Sequence, residues 1–340
     1  MSEIIEITAA LQEKNAVFID TRSPKEFTED HIPNAINVPI LNNEERAIVG
    51  TLYKQVSQEI AIERGMEFFG KNLPSIISAA NQQKNKTMII YCWRGGLRSK
   101  TVTSLLESLN YKVRQLKGGY KAYRAHVKEK LEKYHIKPKI VVLYGLTGTG
   151  KTELLQKSVN SIDLEAMAGH RGSVYGGIGI TQNTQKKFEN LLLQKLEELK
   201  EEKYILVEGE SKRIGDIFIP EIFFKAMENG IKIEIRKPFD ERVAFSVATY
   251  CNTEEKRKEF LRITKELRKN ITNKTKETIL DALEKGDATT ALATLLKEYY
   301  DPLYSHYLDQ LKYDATISNA KADDAKKRLQ RFLLEKGMML

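Results

Sequence analysis

The 340-residue chain has only two cysteines and no long hydrophobic run. Cys92 and Cys251 stand in different surroundings, and neither belongs to a Cys-x-x-Cys pair, so neither a structural disulfide nor a cysteine-based zinc site is expected. No apolar stretch approaches the ~20 residues that a membrane-spanning helix needs. The first residues lack the basic start and the small-residue cleavage site of a secretory signal. These absences predict a cytoplasmic protein that does not enter a membrane.

The composition is ordinary for a soluble globular protein, with 41% hydrophobic and 30% charged residues. The chain is too long for one ordinary domain and suits two or three. The formal net charge of +9 favours a polyanionic partner such as nucleic acid, although many basic proteins bind no polyanion. The net charge alone therefore does not identify the partner, and the positions of the basic residues must be considered.

Alternating strands and helices predict an α/β fold with parallel sheets. The apolar runs AVFID (16–20) and MIIYC (88–92) are typical of buried strands, and a turn and a helix follow each of them. A polar, proline-containing join at 133–140 precedes a second α/β block that opens with the strand IVVLYG. We expect the strands to stop after about residue 240. The predicted regions are an α/β domain over 1–132, a second α/β domain over 139–240 and a helical region over 241–340.

A cysteine lies where a predicted strand meets a predicted helix, in YCWRGGLRSK. Cys92 is near the helix N-terminus, where free backbone N–H groups and the helix dipole favour negative charge. Two nearby arginines favour the thiolate, and two glycines let the loop curl so that its N–H groups point inward. The alternative is a buried structural cysteine, which this clustering disfavours. The predicted nucleophile is Cys92, and the predicted anion-binding loop comprises Arg94, Gly95, Gly96, Arg98 and Ser99.

This loop resembles the active-site loop of rhodanese domains. The segment FIDTRSPKEFTEDHIPNAINVP resembles the opening of those domains, and QLKGGYKAY resembles their closing Gly-Gly turn. The likeness covers roughly residues 1–130. Within it we interpret Asp20, Arg22 and His31 as mainly structural.

The loop departs from the common sulfurtransferase pattern in its length. Arg98 is six residues after Cys92 rather than five, a spacing that also resembles the Cys-x5-Arg loop of cysteine phosphatases. This longer loop favours a substrate with a phosphate-like group, such as selenophosphate, over simple sulfur transfer from thiosulfate.

A phosphate-binding motif, GLTGTGKT (145–152), stands between the strand IVVLY and the helical TELLQKSV. It matches G-x-x-x-x-G-K-[ST] in the strand–loop–helix context that the motif requires. Its backbone amides can wrap a diphosphate, while Lys151 supplies a point charge and Thr152 can ligate Mg²⁺. The predicted diphosphate-binding residues are Gly145, Thr147, Gly148, Gly150, Lys151 and Thr152.

A P-loop usually indicates nucleotide hydrolysis, but the next acidic strand, YILVEGES, carries Glu208 where a Walker-B aspartate is usual. This substitution weakens an ATPase interpretation. The glycine-rich segment 164–179 could be a flexible surface loop, but its His, Arg, Ser and Tyr residues favour a substrate-binding loop. The predicted substrate contacts are His170, Arg171, Ser173 and Glu208.

The order of these motifs, with the helix start QKKFE (185–189) and the tail motif YYDPLY (299–304), resembles the tRNA 2-selenouridine synthase family. That family fuses a rhodanese domain to a P-loop domain. The resemblance implies two steps on the 2-thiouridine at the tRNA wobble position: geranylation of the sulfur by geranyl diphosphate, then replacement by selenium from selenophosphate as the geranyl thiol leaves.

The resemblance also implies a division of roles. The P-loop would hold the prenyl diphosphate, and Cys92 with Arg94 and Arg98 would serve the selenation step. His170 and Arg171 would contact either the diphosphate or the modified base, and the sequence leaves these two roles open. The implied partner is the anticodon region of tRNA.

The segment EEKRKEFLRITKELRKNI predicts an amphipathic helix. Its apolar face carries Phe260, Ile263, Leu267 and Ile271. The basic residues of the opposite face could simply be exposed to solvent. Because the chain resembles an enzyme that acts on tRNA, we interpret this face as contacting tRNA phosphates. This basic stripe comprises Lys258, Arg262, Lys265 and Lys269. Cys251, without a glycine nest or adjacent cations, is interpreted as a packing or surface residue.

Two further hypotheses remain open. One is a sulfurtransferase or cysteine phosphatase fused to a P-loop NTPase, which would turn over thiosulfate or phosphoesters without RNA. The other is a regulatory nucleotide-binding module, whose partner binding would survive loss of Cys92. The combined motif order favours the tRNA-modifying transferase.

Overall fold

The protein is described by a computed structural model that covers residues 3–338. The chain divides into two compact units, one ending at Lys130 and the other beginning at Leu131. Each unit is built on a five-stranded parallel sheet with helices, so the predicted α/β fold class is confirmed. The segment 241–340, predicted as a separate helical region, lies in the second unit together with the P-loop segment.

The first unit contains five strands in the order β1-β5-β4-β2-β3, all parallel. The strands are β1 (Ile4–Ile5), β2 (Ala16–Asp20), β3 (Ile36–Asn37), β4 (Thr87–Tyr91) and β5 (Val113–Leu116). The helices are α1 (Ile7–Gln12), α2 (Pro24–Glu29), α3 (Asn43–Gln55), α4 (Gln58–Gln82), α5 (Leu97–Ser108) and α6 (Gly119–Glu132).

The centre of this sheet is apolar because helices cover both of its faces. In β4, Met88 to Tyr91 are all buried, as expected for a central parallel strand. The strands run in one direction, so their carboxyl ends meet at one edge of the sheet. Asp20, Tyr91 and Leu116 end three of these strands, and the Cys92 loop therefore begins at this edge.

The helix pair α3–α4 is an element for which the sequence made no prediction. Asn42 caps α3: its side chain accepts from the Glu45 N–H, and the Glu45 carboxylate accepts from the Asn42 N–H. Asn72 of α4 then donates to the same carboxylate at 3.0 Å and to the Ile40 carbonyl at 3.2 Å. This partly buried network links the two helices.

The second unit has a parallel sheet in the order β12-β11-β6-β8-β7 and a separate antiparallel pair, β9–β10. The strands are β6 (Lys139–Tyr144), β7 (Ser161–Ile162), β8 (Tyr204–Glu208), β9 (Arg213–Ile214), β10 (Ile217–Phe218), β11 (Ile231–Arg236) and β12 (Ala315–Ser318). The helices are α7 (Lys151–Gln156), α8 (Leu164–Ala168), α9 (Gln185–Glu198), α10 (Glu221–Glu228), α11 (Phe239–Tyr250), α12 (Glu254–Glu266), α13 (Asn273–Glu284), α14 (Ala288–Leu295), a π-helical turn (Leu296–Tyr300), α15 (Asp301–Leu308) and α16 (Ala322–Glu335).

The expectation that strands stop after residue 240 was wrong. β12 pairs in parallel with β11 and extends the sheet at its edge. Only Ile317 of this strand is fully buried, because an edge strand needs little apolar sequence. The short, polar run YDATISNA therefore lacked the hydrophobic pattern by which strands are predicted.

The predicted amphipathic helix is shorter than its sequence pattern indicated. α12 ends at Glu266, and Leu267 is in an extended conformation. Phe260 is fully buried and stacks on Tyr175 with ring centroids 4.3 Å apart. The apolar face is therefore docked as predicted over the helix itself, whereas Lys269 and Ile271 lie beyond its end.

Candidate functional site

Cys92 directly follows β4 and precedes α5, as the sequence predicted. Its side chain is buried, and its Sγ lies 3.2 Å from the Ser99 Oγ. Gln115 of β5 donates to the same hydroxyl at 3.1 Å and to the Gly95 carbonyl at 2.8 Å. The neighbouring strand thus fixes both ends of the loop around the thiol.

The backbone of the Cys92 loop packs closely against the turn formed by Gly118 and Gly119, and this contact fixes its conformation. Gly95 and Gly119 both have positive φ angles, of 66° and 57°. A Cβ on Gly95 would lie 2.8 Å from the Leu116 carbonyl oxygen, and a Cβ on Gly119 would overlap the Cys92 carbonyl oxygen. Within residues 3–338 we find no acceptor for the backbone N–H groups of 94–99. These groups are available to an anion.

The two arginines of the loop differ in their surroundings. Arg98 Nη1 lies 2.8 Å from a carboxylate oxygen of Glu26. Burial raises the pKa of Glu26, but the hydrogen bond and charge of Arg98 outweigh it and hold that pKa below its usual value. Arg94 is exposed and has no ion-pair partner in the described part of the chain. Arg94 is therefore the loop cation whose charge is available to a ligand.

Asp20 and Arg22 form a buried ion pair. The Arg22 Nη2 lies 2.6 Å from Asp20 Oδ2 and 2.7 Å from the Asp30 carbonyl oxygen. The Arg22 guanidinium also stacks 3.9 Å from the centre of the Tyr120 ring. These contacts tie β2 to the segment after α2, in agreement with a structural role.

A cavity of about 650 Å³ opens beside the thiol, and we call it the Cys92 cavity. The loop residues from Cys92 to Arg98, apart from Gly95, form one wall. Helices α3 and α4 form the other, with an apolar surface that includes Val49, Ile62 and Met66. The thiol therefore borders a partly open pocket that has the loop on one side and a largely apolar surface of α3 and α4 on the other.

The P-loop follows β6 and ends at α7, as predicted. Gly148 and Gly150 have φ angles of 83° and 82°, which only glycine adopts readily. The Lys151 Nζ lies 2.7 Å from the Gly145 carbonyl oxygen and so spans the loop. The loop thus has the curled backbone and the central cation that a diphosphate requires.

Two buried side chains that the sequence analysis did not select brace this loop. The Arg242 Nε donates to the Thr147 carbonyl at 2.8 Å, and its two terminal nitrogens lie 3.0 and 2.5 Å from the carboxylate of Asp301. Asn319, which follows β12, donates to the Thr149 carbonyl at 2.7 Å. The curled loop is thus held by the helical part and the C-terminal strand of the same unit.

The P-loop opens into a cavity of about 680 Å³, which we call the P-loop cavity. Apart from the loop, one part of its lining is polar, with Arg171, Ser173 and Lys256. The other part is aromatic and apolar, and comprises Tyr144, Phe224, Phe245, Tyr250, Tyr304, Tyr307 and Leu308. A ligand with a diphosphate and an apolar chain would match both parts.

Two carboxyl groups, Glu165 and Glu210, line the same cavity. Burial raises the pKa of Glu210 to about 8, with the nearby charge of Glu165 adding to the shift and Lys151 opposing it. Burial also raises the pKa of Glu165, and Lys151 again opposes the shift. The pair therefore shares protons near neutral pH, since two adjacent carboxylates do not ionise independently.

Two of the predicted substrate contacts, His170 and Glu208, do not line this cavity. His170 packs against Gly176 and Gly215, and burial lowers its pKa. Glu208 is buried at the end of β8, where it accepts from the Glu165 N–H at 2.8 Å and burial raises its pKa well above the usual value. Arg171 and Ser173 do line the cavity, as do all six predicted P-loop residues.

The basic stripe is exposed, but acidic residues accompany it. Lys258 and Arg262 of α12 pair with Glu254 and Glu266, at 3.5 and 3.0 Å. Such exposed pairs are weak and exchange readily with other charges. The stripe thus remains open to phosphates. Cys251 is buried in the apolar cluster of the helical part, and burial raises its pKa to about 11.

Comparisons with known proteins agree with this geometry. Residues 138–335 match the family model described as the tRNA 2-selenouridine synthase AAA domain, and residues 5–126 match the rhodanese-like domain. A protein of Hydrogenovibrio crunogenus named tRNA 2-selenouridine synthase is 33% identical over 87% of this chain and 90% of its own length. The chain belongs to the tRNA 2-selenouridine synthase family.

Two further relatives of the same name support this membership. The Sulfurovum protein is 31% identical, again over 87% of this chain and 90% of its own length. The Nitrosomonas europaea protein is 38% identical over 66% of this chain, and the match spans 61% of that protein. Within residues 3–338, no helix is long and apolar enough to cross a membrane, and no cluster of three or more His, Cys, Asp or Glu residues is arranged to hold a metal.

For this member of the selenouridine synthase family, sequence reasoning missed the residues that support the two loops. Gln115 lies in the quoted QLKGG segment, and Asp301 lies in YYDPLY, so both were within motifs but had no assigned role. Arg242 and Asn319 lie in no motif. They act through contacts over long sequence distances, which a single sequence does not reveal.

Proposed function

We propose that the chain is a transferase that replaces the sulfur of the wobble-position 2-thiouridine in tRNA with selenium, through an S-geranylated intermediate. The names of its relatives support the overall activity. The observation that carries the chemistry is the P-loop cavity, in which a diphosphate-binding loop adjoins an aromatic wall.

In the first step, the P-loop cavity binds geranyl diphosphate. The loop amides and Lys151 bind the diphosphate, and the aromatic wall covers the apolar chain. The sulfur of 2-thiouridine attacks C1 of the geranyl group, so an S–C bond forms as the C–O bond breaks and its electron pair leaves with the diphosphate. Lys151 stabilises the charge that develops on this leaving group.

Alkylation of the sulfur also releases the N3 proton of the base. Glu210 and Glu165 line the same cavity and do not ionise independently, so whichever of the two carboxyls is ionised can accept this proton. Mg²⁺ fits a P-loop site, since it favours one or two protein oxygen ligands together with phosphate oxygens. Thr152 is the residue that would hold it, and Mg²⁺ would neutralise the diphosphate charge.

In the second step, the Cys92 cavity serves the selenation. The selenium of selenophosphate attacks C2 of the geranylated base, the C2–S bond breaks, and geranyl thiol leaves after taking up a proton. Water then cleaves the Se–P bond, which releases phosphate and 2-selenouridine. Cys92, Arg94 and the free N–H groups of 94–99 form a cup suited to the phosphate-like end of the selenium donor.

Calorimetric titration of the full chain tests the ligand assigned to the P-loop. We expect geranyl diphosphate to bind at least tenfold more tightly than inorganic diphosphate, because the apolar chain is buried as well. Lys151→Ala should abolish this binding, whereas Lys285→Ala, at an exposed ion pair, should not change it. Tight binding of ATP with no detectable binding of geranyl diphosphate would contradict the proposal.

A further inference from the structure

The Cys92 cavity has an apolar wall that a bare anion does not need. Ile62 and Met66 of α4 line it with 37% and 47% of their surfaces exposed, and Leu97 at the start of α5 is 54% exposed. The cavity volume of about 650 Å³ lies within the range typical of small-molecule sites, roughly 300–1,000 Å³. Selenophosphate would contact only the loop side of this space, so the other side remains to be explained.

We propose that the apolar wall formed by α3 and α4 binds the geranyl chain of the S-geranylated nucleoside during selenation. The inference rests on the proposed function, in which a ten-carbon apolar group must leave beside Cys92. The reacting C2–S bond would lie at the thiol and the free N–H groups, and the chain would extend along Val49, Ile62 and Met66.

Two cations among the lining residues fit this ligand. Lys54 and Arg94 line the cavity, are exposed, and have no ion-pair partner within residues 3–338. An S-geranylated base arrives attached to an RNA chain, so it presents an apolar group flanked by phosphates. A lining that holds both cations and apolar residues matches that combination.

The apolar wall includes one glycine, Gly65, where a larger side chain would occupy part of the cavity. Gly65 of α4 lines the cavity, and a Cβ there would meet only the Val49 methyl groups, at 3.8 Å and beyond. Gly65→Leu should therefore fill the space without straining the backbone. Gly70 lies in the same helix, does not line the cavity, and has no neighbouring atom within 4 Å of the position that a Cβ would occupy. Gly70→Leu is the matched control.

Trp93, the one tryptophan of the chain, lines the cavity and reports binding without any turnover. Addition of S-geranyl-2-thiouridine should change the Trp93 fluorescence until the site is saturated. The dissociation constant obtained in this way should be at least tenfold lower than that of S-methyl-2-thiouridine. Gly65→Leu should weaken this binding at least tenfold, and Gly70→Leu should not. If Gly65→Leu unfolds at a lower temperature than wild type, Met66→Gln, at a half-exposed position, serves as a second variant. It should also weaken binding of the geranyl probe. A geranyl probe that binds no better than the methyl probe would overturn the inference.

Selenation assays separate this inference from the proposed function. With wild type, tRNA carrying S-geranyl-2-thiouridine should give 2-selenouridine. Gly65→Leu should slow this reaction at least tenfold more than it slows selenation of the S-methyl tRNA. If wild type selenates neither tRNA while the probe still binds, the proposed function fails and the cavity assignment survives. If wild type selenates both and Gly65→Leu does not discriminate between them, the cavity assignment fails. A change in oligomeric state in Gly65→Leu without loss of probe binding would instead identify this wall as a contact between copies and overturn the inference.

Discussion

Arg242 and Asp301 form a two-point ion pair behind the P-loop, with N–O distances of 3.0 and 2.5 Å. The Arg242 side chain is 5% exposed and that of Asp301 24%. The same guanidinium donates to the Thr147 carbonyl. The ion pair therefore connects the YYDPLY segment, which is distant in sequence, to the curvature of the phosphate-binding loop.

Loss of this carboxylate should destabilise both the fold and the loop. Asp301→Asn leaves the Arg242 guanidinium buried without a counter-charge, so we expect a loss of about 2 kcal/mol in the free energy of unfolding. Geranyl diphosphate binding should weaken at least tenfold. Urea unfolding and calorimetry measure the two effects.

The control for this variant is Asp281→Asn, which breaks an exposed pair with Lys285. It should change the free energy of unfolding by no more than about 0.5 kcal/mol. Equal effects of the two substitutions would show that the buried pair does not brace the P-loop.

The Gly-Gly turn should be required for selenation but not for geranylation. In Gly119→Ala the new methyl group would overlap the Cys92 carbonyl at a positive φ, so the loop must move. We expect the selenation rate to fall at least tenfold, with the geranylation rate changed less than twofold. Mass spectrometry of the product nucleosides measures both steps.

Gly70→Ala provides the comparison for Gly119→Ala. This position is inside α4 with free space around it, so alanine should stabilise the helix by up to about 1 kcal/mol and leave both steps unchanged. Selenation at the wild-type rate in Gly119→Ala would show that the turn does not shape the Cys92 loop.

Local sequence patterns predicted both loops because each lies within a short strand–loop–helix unit. The strands before Cys92 and before the P-loop are continuous apolar runs, and the helices after them have regular spacing. The β12 strand was missed because it is short, polar and at an edge. The α3–α4 wall was missed because no motif marks it, and only the fold brings it beside Cys92.

The acidic pair in the P-loop cavity predicts an unusual pH dependence of stability. Burial raises the pKa of Glu210 from 4.5 to about 8, with Glu165 adding to the shift. The folded state therefore binds more protons than the unfolded state between these values, so stability should fall as pH rises from about 4.5 to 8. Glu210→Gln should remove part of this slope and stabilise the protein by about 2 kcal/mol at pH 8.

Urea unfolding of wild type and Glu210→Gln at pH 5 and pH 8 tests this prediction. The two proteins should differ at pH 8 and become similar at pH 5, where the wild-type carboxyl is protonated when folded. A difference of the same size at both pH values would contradict the raised pKa.

The basic stripe on α12 should contribute to tRNA binding through phosphate contacts. Replacing Lys258, Arg262 and Lys265 with alanine should weaken binding at every salt concentration. It should also reduce the slope of log affinity against log salt by about two to three. Lys258 pairs with Glu254, Arg262 with Glu266 and Lys265 with Glu284, and these exposed ion pairs should exchange for phosphates. Filter binding over a salt series measures both quantities.

The matched control replaces three exposed basic residues of α16: Lys327, Arg328 and Arg331. It changes the net charge equally and should leave the salt slope unchanged. Equal losses in the two triple variants would show that tRNA responds only to the net charge of the protein. The predicted role of the stripe would then be wrong.

The most direct test of the central claim is mass spectrometry of nucleosides from 2-thiouridine tRNA. The full chain would be incubated with geranyl diphosphate, with and without selenophosphate, beside Cys92→Ala and Lys151→Ala. We predict that wild type makes 2-selenouridine, that Cys92→Ala stops at the geranylated nucleoside, and that Lys151→Ala makes neither. No change in nucleoside mass, together with hydrolysis of ATP by the wild-type protein, would contradict the account.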